Sequence, residues 1–349
     1  MMESERRVLT FYQADVFTSL AFGGNPIAVI PDAQELTDQE LQQIAREMNL
    51  SETVFILPPT EPAATAKIRI FTPTQEIPFA GHPVIGAFYT LGTLKRIPLQ
   101  EPVTRILHEC NIGLFPVELH VRNGEIHRVV MSQPGPEFLG TIDALEDIYE
   151  IGGALGLSKA ALKGAQCPIQ VVSTGLPVII VPVRSLTAVK SIVPNGLEIN
   201  ELCERHGAKG IMVFTTITVE EMSTVHTRMF APPIGVLEDP ATGSASGALG
   251  AYLVHHGVVE VRPITEIIAE QGYELDRPSR TSPRLGDRQG LSRGRRAANA
   301  VRSARAARPP HDHGSGRAAP RSRADPSPWV RRCGRRARGR PVVGCRSGA

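Results

Sequence analysis

Matches at one constant spacing constrain this chain more than any other feature. "RIFTP" (Arg69–Pro73) answers "RMFAP" (Arg228–Pro232) 159 positions later, and the "VF" at Val54–Phe55 answers that at Val213–Phe214 at the same spacing. A helical pattern precedes each "VF": "DQELQQIAREMN" in the first half, "EINELCERHG" in the second. Earlier still, "GNPIAVI" (Gly24–Ile30) parallels "GLPVIIV" (Gly175–Val181). After each R-x-F-x-P come small residues around a glycine and an apolar helical run, "FAGHPVIGAFYTL" and "ATGSASGALGAYL". A period this long lies far outside the roughly 20–50 residues of solenoid repeats and predicts a duplicated domain.

Each half is expected to run strand, turn, strand, helix, strand, strand, turn, small-residue helix. Alternating runs such as "AKIRIF" and "HRVVM", with many Gly and Pro turns, predict mostly antiparallel strands, so the fold class is α+β. The two apolar helices have little polar face. They are expected to be central, with sheet wrapped around each.

The 349 residues leave room for two sizeable cores, and 42% hydrophobic content fits a globular chain. The opening "MMESERRVLTFYQADVF" has no apolar core of signal-peptide length, and runs such as "PVIIVPV" are too short to cross a bilayer. A cytoplasmic location without membrane contact is expected. The cysteines form no CxxC and read as incidental thiols.

The net charge of +3 conceals a division. Arg277 to Ala349 holds 20 Arg, no Lys and 3 Asp, a net of +17; the body before it carries −14. The late stretch has no period of 2 or 3.6 and reads as a disordered basic tail. Two readings of it stand: translation in a wrong frame of GC-rich DNA, and a nucleic-acid-binding arm. The acidic body and the scarcity of aromatics weigh against nucleic acid as a partner. The expected organisation is an N-terminal domain over 1–125, a C-terminal domain over 126–280 and the tail over 281–349.

A helix start presents free N–H groups and partial positive charge, and so suits an anion. Gly81 and Gly243 each open one of the matched helices and allow close approach of a ligand. Facing each other across a cleft, the two starts would hold a small carboxylate. Beside them stand His82, Asp239, Thr242 and Ser244. Tight helix–sheet packing and helix capping are the competing explanations. The repeat is unequal at one point: at the 159 spacing, Glu52 corresponds to Ile211. A carboxyl in an apolar setting is tuned for proton abstraction and return near neutral pH, though a capping role for Glu52 stays open. "GSASG" misses the nucleophile-elbow spacing, and there is no dinucleotide, Walker or H-E-x-x-H motif, so no cofactor and no metal are expected.

"DVFTSLAFGGNPIAVI", "SETVFI", "RIFTPTQEIPFAGHP" and "HTRMFAPPIGVLEDPATGSASGAL" together resemble the PhzF-like family of phenazine biosynthesis. The resemblance covers roughly residues 8–280. It implies the diaminopimelate epimerase-like fold, two pseudo-symmetric domains of mostly antiparallel sheet around a central helix, and a homodimer. It also implies a cofactor-independent isomerase; the family's best-known member isomerises a dihydro-hydroxyanthranilate. Carried over, Glu52 moves the proton, His82 and Asp239 assist, and Gly81, Gly243, Ser244 and Thr242 hold the substrate. Diaminopimelate epimerase has a cysteine at each helix start; "AGHP" and "TGSA" have none, which leaves a carboxylate base. An amino-acid epimerase or racemase pairing Glu52 with Asp239, and an inactive metabolite-binding protein, are the alternatives.

Overall fold

A computed structural model of the chain describes residues 8–78, 80–162, 167–286 and 298–302. The first half runs β1 (Tyr12–Val16), β2 (Asn25–Ile30), α1 (Asp38–Met48), β3 (Glu52–Leu57), β4 (Ala66–Phe71), β5 (Glu76–Ile77), α2 (Gly81–Thr93), β6 (Val103–Cys110), β7 (Gly113–Arg122) and β8 (Glu125–Ser132). The second runs β9 (Glu137–Ile142), α3 (Leu145–Ala154), α4 (Lys159–Leu162), β10 (Ile169–Ser173), β11 (Pro177–Pro182), α5 (Leu186–Lys190), α6 (Gly196–Arg205), β12 (Ile211–Thr215), β13 (Val225–Ala231), β14 (Val236–Asp239), α7 (Gly243–His255), β15 (Ile264–Glu266), β16 (Ala269–Gln271), β17 (Ser279–Gly286) and β18 (Ala298–Arg302). The expected order is found from β1 to α2 and from β10 to α7, with β5, β14 and α5 in addition and β9, α3 and α4 preceding the second repeat.

The pairing repeats as well. β1–β2 and β10–β11 are antiparallel; β2–β3 and β11–β12 are parallel; β3–β4 and β12–β13 are antiparallel; β4–β6 and β13–β16 are parallel. α2 and α7 are each buried all round except at the last residue, as an apolar helix without a polar face must be. Each is the axis of a core, packed on the inner faces of its own sheet. The amphipathic helices α1, α3 and α6 cover the outer faces, which form separate clusters. α1 starts on a full capping box between Thr37 and Glu40, which fixes the chain's entry into the helix from β2.

Ion pairs carry the repeat into the side chains. Arg69 grips Glu76 with two parallel hydrogen bonds (2.8 and 2.6 Å), and Arg228 grips Glu238 likewise (both 2.8 Å). Glu109 meets Lys67 and accepts the backbone N–H groups of Thr60 and Glu61; Glu270 meets His226 and accepts those of Val219 and Glu220. Both devices tie the strand-linking loop to its sheet.

Three sequence expectations need correction. β8 pairs along β7, so the first domain continues to Ser132 and does not end at 125. The stretch assigned to a tail from 281 begins as sheet: β17 pairs with β16 through Thr281 and then with β18, which lies antiparallel to β8 of the first sheet. Neighbouring strands satisfy backbone groups whatever the side-chain composition, so composition alone misplaced this boundary. The Arg-rich remainder, 303–349, lies outside the described residues, and with it both readings of the tail.

The third correction is one of register. Arg69 pairs with Phe55, whereas Arg228 pairs with Val213. Counting back three residues, the structural twin of Glu52 is Gly210 and not Ile211. The loop before the arginine strand has eight residues in the first half (58–65) and nine in the second (216–224), so the matched "VF" pairs sit one residue out of step. A slip of one residue reverses the face of every side chain. Ile211 accordingly packs among α3 and α6 on the outer face, while Val54, two residues after Glu52, faces the α2 core.

Candidate active site

Between the halves lies a cavity of about 450 Å³, lined by Glu52, Gly81, His82, Asp239, Thr242, Gly243 and Ser244 among others. All seven expected site residues therefore meet in one place. The two helix starts face each other: a Cβ placed on Gly81 would lie 3.5 Å from the Ser244 nitrogen and 3.8 Å from the Gly243 carbonyl carbon. The preceding residues, Ala80 and Thr242, make no side-chain cap to either helix. The capping explanation for Asp239 is thus set aside; its carboxyl accepts from Asn25 Nδ2 and Thr242 Oγ1 instead. Glu52 lies on β3, not at a helix start, so it caps no helix.

Glu52 and His82 are both buried, and Glu52 Oε2 comes to 3.0 Å from His82 Nε2. The contact lacks the alignment of a hydrogen bond, and neither atom has another partner among the described residues. On the far side of the imidazole, Asn25 Nδ2 lies 3.4 Å from His82 Nδ1. The same amide donates to Asp239 Oδ1 (2.6 Å) and to the Ala241 carbonyl (2.9 Å). Thr242 Oγ1 donates to the other Asp239 oxygen. Glu52, His82, Asn25, Asp239 and Thr242 form a continuous polar row across the cleft.

Charge follows from burial and neighbours. Burial lifts the Asp239 carboxyl and the charge of Glu52 lifts it further; His82, Thr242 and Asn25 oppose this, and the result is about 7. Burial pulls His82 down, but the charges of Glu52 and then Asp239 outweigh it and leave the imidazole above its ordinary value. Asp239, raised to about 7, and His82, raised above its ordinary value, stand in one hydrogen-bonded row, which suits general acid–base chemistry.

Sequence reading missed the residues that hold the row. Asn25 is fully buried and lies in the quoted "GGNP" turn, where it passes for a turn residue. Gly24 before it has φ of +61° and no room for a Cβ, which would lie 2.1 Å from the Val16 carbonyl oxygen. Arg277, counted with the basic tail on composition, donates to the carbonyls of Gly23 (2.9 Å) and Gly24 (2.8 Å) and to Asp15 (2.6 Å) and so clamps this turn. Gln271 donates to the Asp239 carbonyl (2.6 Å) and accepts from the Thr242 N–H (3.2 Å). Gln133 donates to the Gly243 carbonyl (3.1 Å), and Thr174 to the Ser244 carbonyl (3.1 Å). No local pattern marks Gln133, Thr174 or Gln271.

Comparison with known proteins settles the lineage. A family model described as phenazine biosynthesis-like protein matches residues 14–300. The chain belongs to this family. It is 38% identical over 272 residues to an uncharacterized isomerase of Clostridium acetobutylicum, covering 78% of this chain and 88% of that protein. It is 37% identical over 265 residues to the trans-2,3-dihydro-3-hydroxyanthranilate isomerase of Pseudomonas chlororaphis, covering 76% and 86%. The crystal structure of a Bacillus anthracis phenazine biosynthesis protein of the PhzF family superposes with a TM-score of 0.75 at 28% identity, over 85% of this chain and 96% of that one.

With these relatives, the PhzF-family chain is an isomerase of two sheet-dominated halves. The family match runs past Arg280 to residue 300, into β18, in agreement with the sheet pairing. Among the described residues, no helix is long and apolar enough to cross a membrane.

Proposed function

We propose that this chain moves a proton between carbon atoms of a small carboxylate substrate, with Glu52 as the acid–base group and no cofactor. The substrate carboxylate sits between the two helix starts, against the backbone of Gly81, Gly243 and Ser244, with Thr242 beside it. Glu52 takes a proton from a carbon next to an activating group and delivers it to another carbon of the same molecule. No electrons are gained or lost overall. His82 stabilises the charge on Glu52, and Asp239 orients His82 through Asn25 and relays the proton. The dihydro-hydroxyanthranilate named for the Pseudomonas chlororaphis relative is the first substrate to test.

One observation carries the reading: Glu52 is a buried carboxyl on the cavity wall, 3.0 Å from a buried histidine, and its structural twin Gly210 has no side chain. The epimerase alternative needs Asp239 as a second free base. Both of its oxygens are engaged, one by Asn25 and one by Thr242, which favours isomerisation from a single base.

The test is solvent exchange. Incubated in D₂O with trans-2,3-dihydro-3-hydroxyanthranilate, the protein should place deuterium on a substrate carbon, followed by NMR. Glu52→Gln should slow this by about 10²–10⁴-fold, the usual weight of a general acid–base group, and leave binding intact. Exchange at the original rate in Glu52→Gln would remove Glu52 from the mechanism.

A further inference from the structure

The cavity is asymmetric in a way the repeat does not require. Related by the duplication to the wall that carries Glu52 is Gly210, where a Cβ would lie 2.5 Å from Met229 Cε and 2.6 Å from the Phe230 carbonyl oxygen. The place of a second carboxylate is thus taken by the end of the Met229 side chain. Several apolar side chains line the cavity, Ile77, Ile112, Leu176, Met229, Ile234 and Val236, and the exposed Gln75 and Lys209 line it with them. Ile112 is 51% exposed, and Ile77, Leu176, Ile234 and Val236 are half-buried, so apolar surface faces the cavity uncovered. Glu76 in the same lining is held away by Arg69 and by Asn111 at 2.9 Å.

Size points the same way. A volume of about 450 Å³ lies within the roughly 300–1,000 Å³ of pockets that enclose drug-sized ligands. A carboxylate between two helix starts fills one end only. Uncovered apolar surface in a concave site gains by being covered with apolar surface.

We propose that the substrate of this site is a carboxylate with an extended apolar body, which lies along the wall of Leu176, Ile112 and Ile77. The inference rests on the proposed seating of the carboxylate at Gly81 and Gly243 and adds the character of the rest of the molecule. Leu176, Ile112 and Ile77 then set specificity and take no part in proton transfer.

Calorimetric titration of the full chain with benzoate, biphenyl-4-carboxylate and terephthalate tests this directly. Biphenyl-4-carboxylate should bind at least about tenfold more tightly than benzoate, as burial of a second ring implies, and terephthalate no more tightly than benzoate. Ile112→Asp, at an exposed position that tolerates charge, and Leu176→Asn should each cut the biphenyl advantage by about fivefold or more and leave benzoate affinity unchanged. Equal affinities for benzoate and biphenyl-4-carboxylate, or an advantage untouched by both variants, would overturn the proposal. Methyl benzoate separates it from the reading beneath it. An ester that binds as well as the acid removes the anion seat while the apolar series stands. A flat series with the acid ahead of its ester removes the apolar body and keeps the seat.

Discussion

Asn25 Nδ2 stands 2.6 Å from Asp239 Oδ1, and this hydrogen bond joins the two halves of the duplicated chain inside the cleft. The amide has two hydrogens and three acceptors within reach: Asp239, the Ala241 carbonyl and His82 Nδ1. By facing His82 Nδ1 it favours the tautomer that carries its proton on Nε2, towards Glu52.

Asn25→Ala should therefore cost more than a surface change. It strands a buried carboxyl oxygen and a carbonyl, and should lower stability by about 1–3 kcal/mol in denaturant unfolding. Exchange activity should fall as well, because the His82 tautomer is no longer held. A variant as stable and active as the parent would show that the bond has no role.

Asp239 and His82 give stability a pH dependence of known sign. Both have folded-state values raised above the unfolded ones, so the folded chain holds more protons than the unfolded chain. For Asp239 the contribution is fully present below about 3.8 and is lost as pH rises through about 7. For His82 it is present below 6.5 and is lost as pH climbs past that value. Relative to the parent, Asp239→Asn should lose the fall in stability between pH 4 and 7 (set by the same two values). A melting-temperature difference that stays constant over that range would contradict the assignment.

His108 acts in the opposite direction. It is fully buried between the Phe88 and Phe115 rings at 5.9 Å each, and among the described residues neither ring nitrogen has a side-chain or backbone acceptor in hydrogen-bond geometry. Burial, only partly offset by the Glu109 backbone, pushes it down to about 4. Between pH 6.5 and 4 the unfolded chain takes up a proton that the folded chain refuses, so stability falls as the solution is acidified. His108→Phe should flatten that limb in pH-dependent unfolding. An unchanged slope would mean that His108 is not the group responsible.

Gly210 and Ile211 offer a test of the register. Ile211→Glu, which the 159 spacing would make the mirror image of Glu52, should create no second base. It should place a lone charge in the outer core under α3 and α6 and destabilise by about 3–5 kcal/mol, as unpaired buried charges do. Gly210→Ala should destabilise by about 1–3 kcal/mol through overpacking against Met229 and the Phe230 carbonyl. A folded Ile211→Glu protein whose crystal structure shows the new carboxylate in the cavity would refute the pairing described here.

The duplication, the order of elements in each half, the central position of α2 and α7, and the seven residues that meet in the cleft were all legible in the sequence. Each rests on local grammar: a periodic run, a glycine before an apolar helix, a match repeated at one spacing. The rest depended on the folded chain. The insertion that moves the twin of Glu52 from Ile211 to Gly210 lies in a loop, and only the pairing of Arg69 with Phe55 and of Arg228 with Val213 reveals it. Asn25 and Asp239 are 214 residues apart, and Arg277 reads as one more tail arginine until it is seen gripping Gly23 and Gly24. Strand alternation and helix periodicity are short-range properties of a chain, whereas the meeting of polar atoms across a cleft depends on how the whole chain closes.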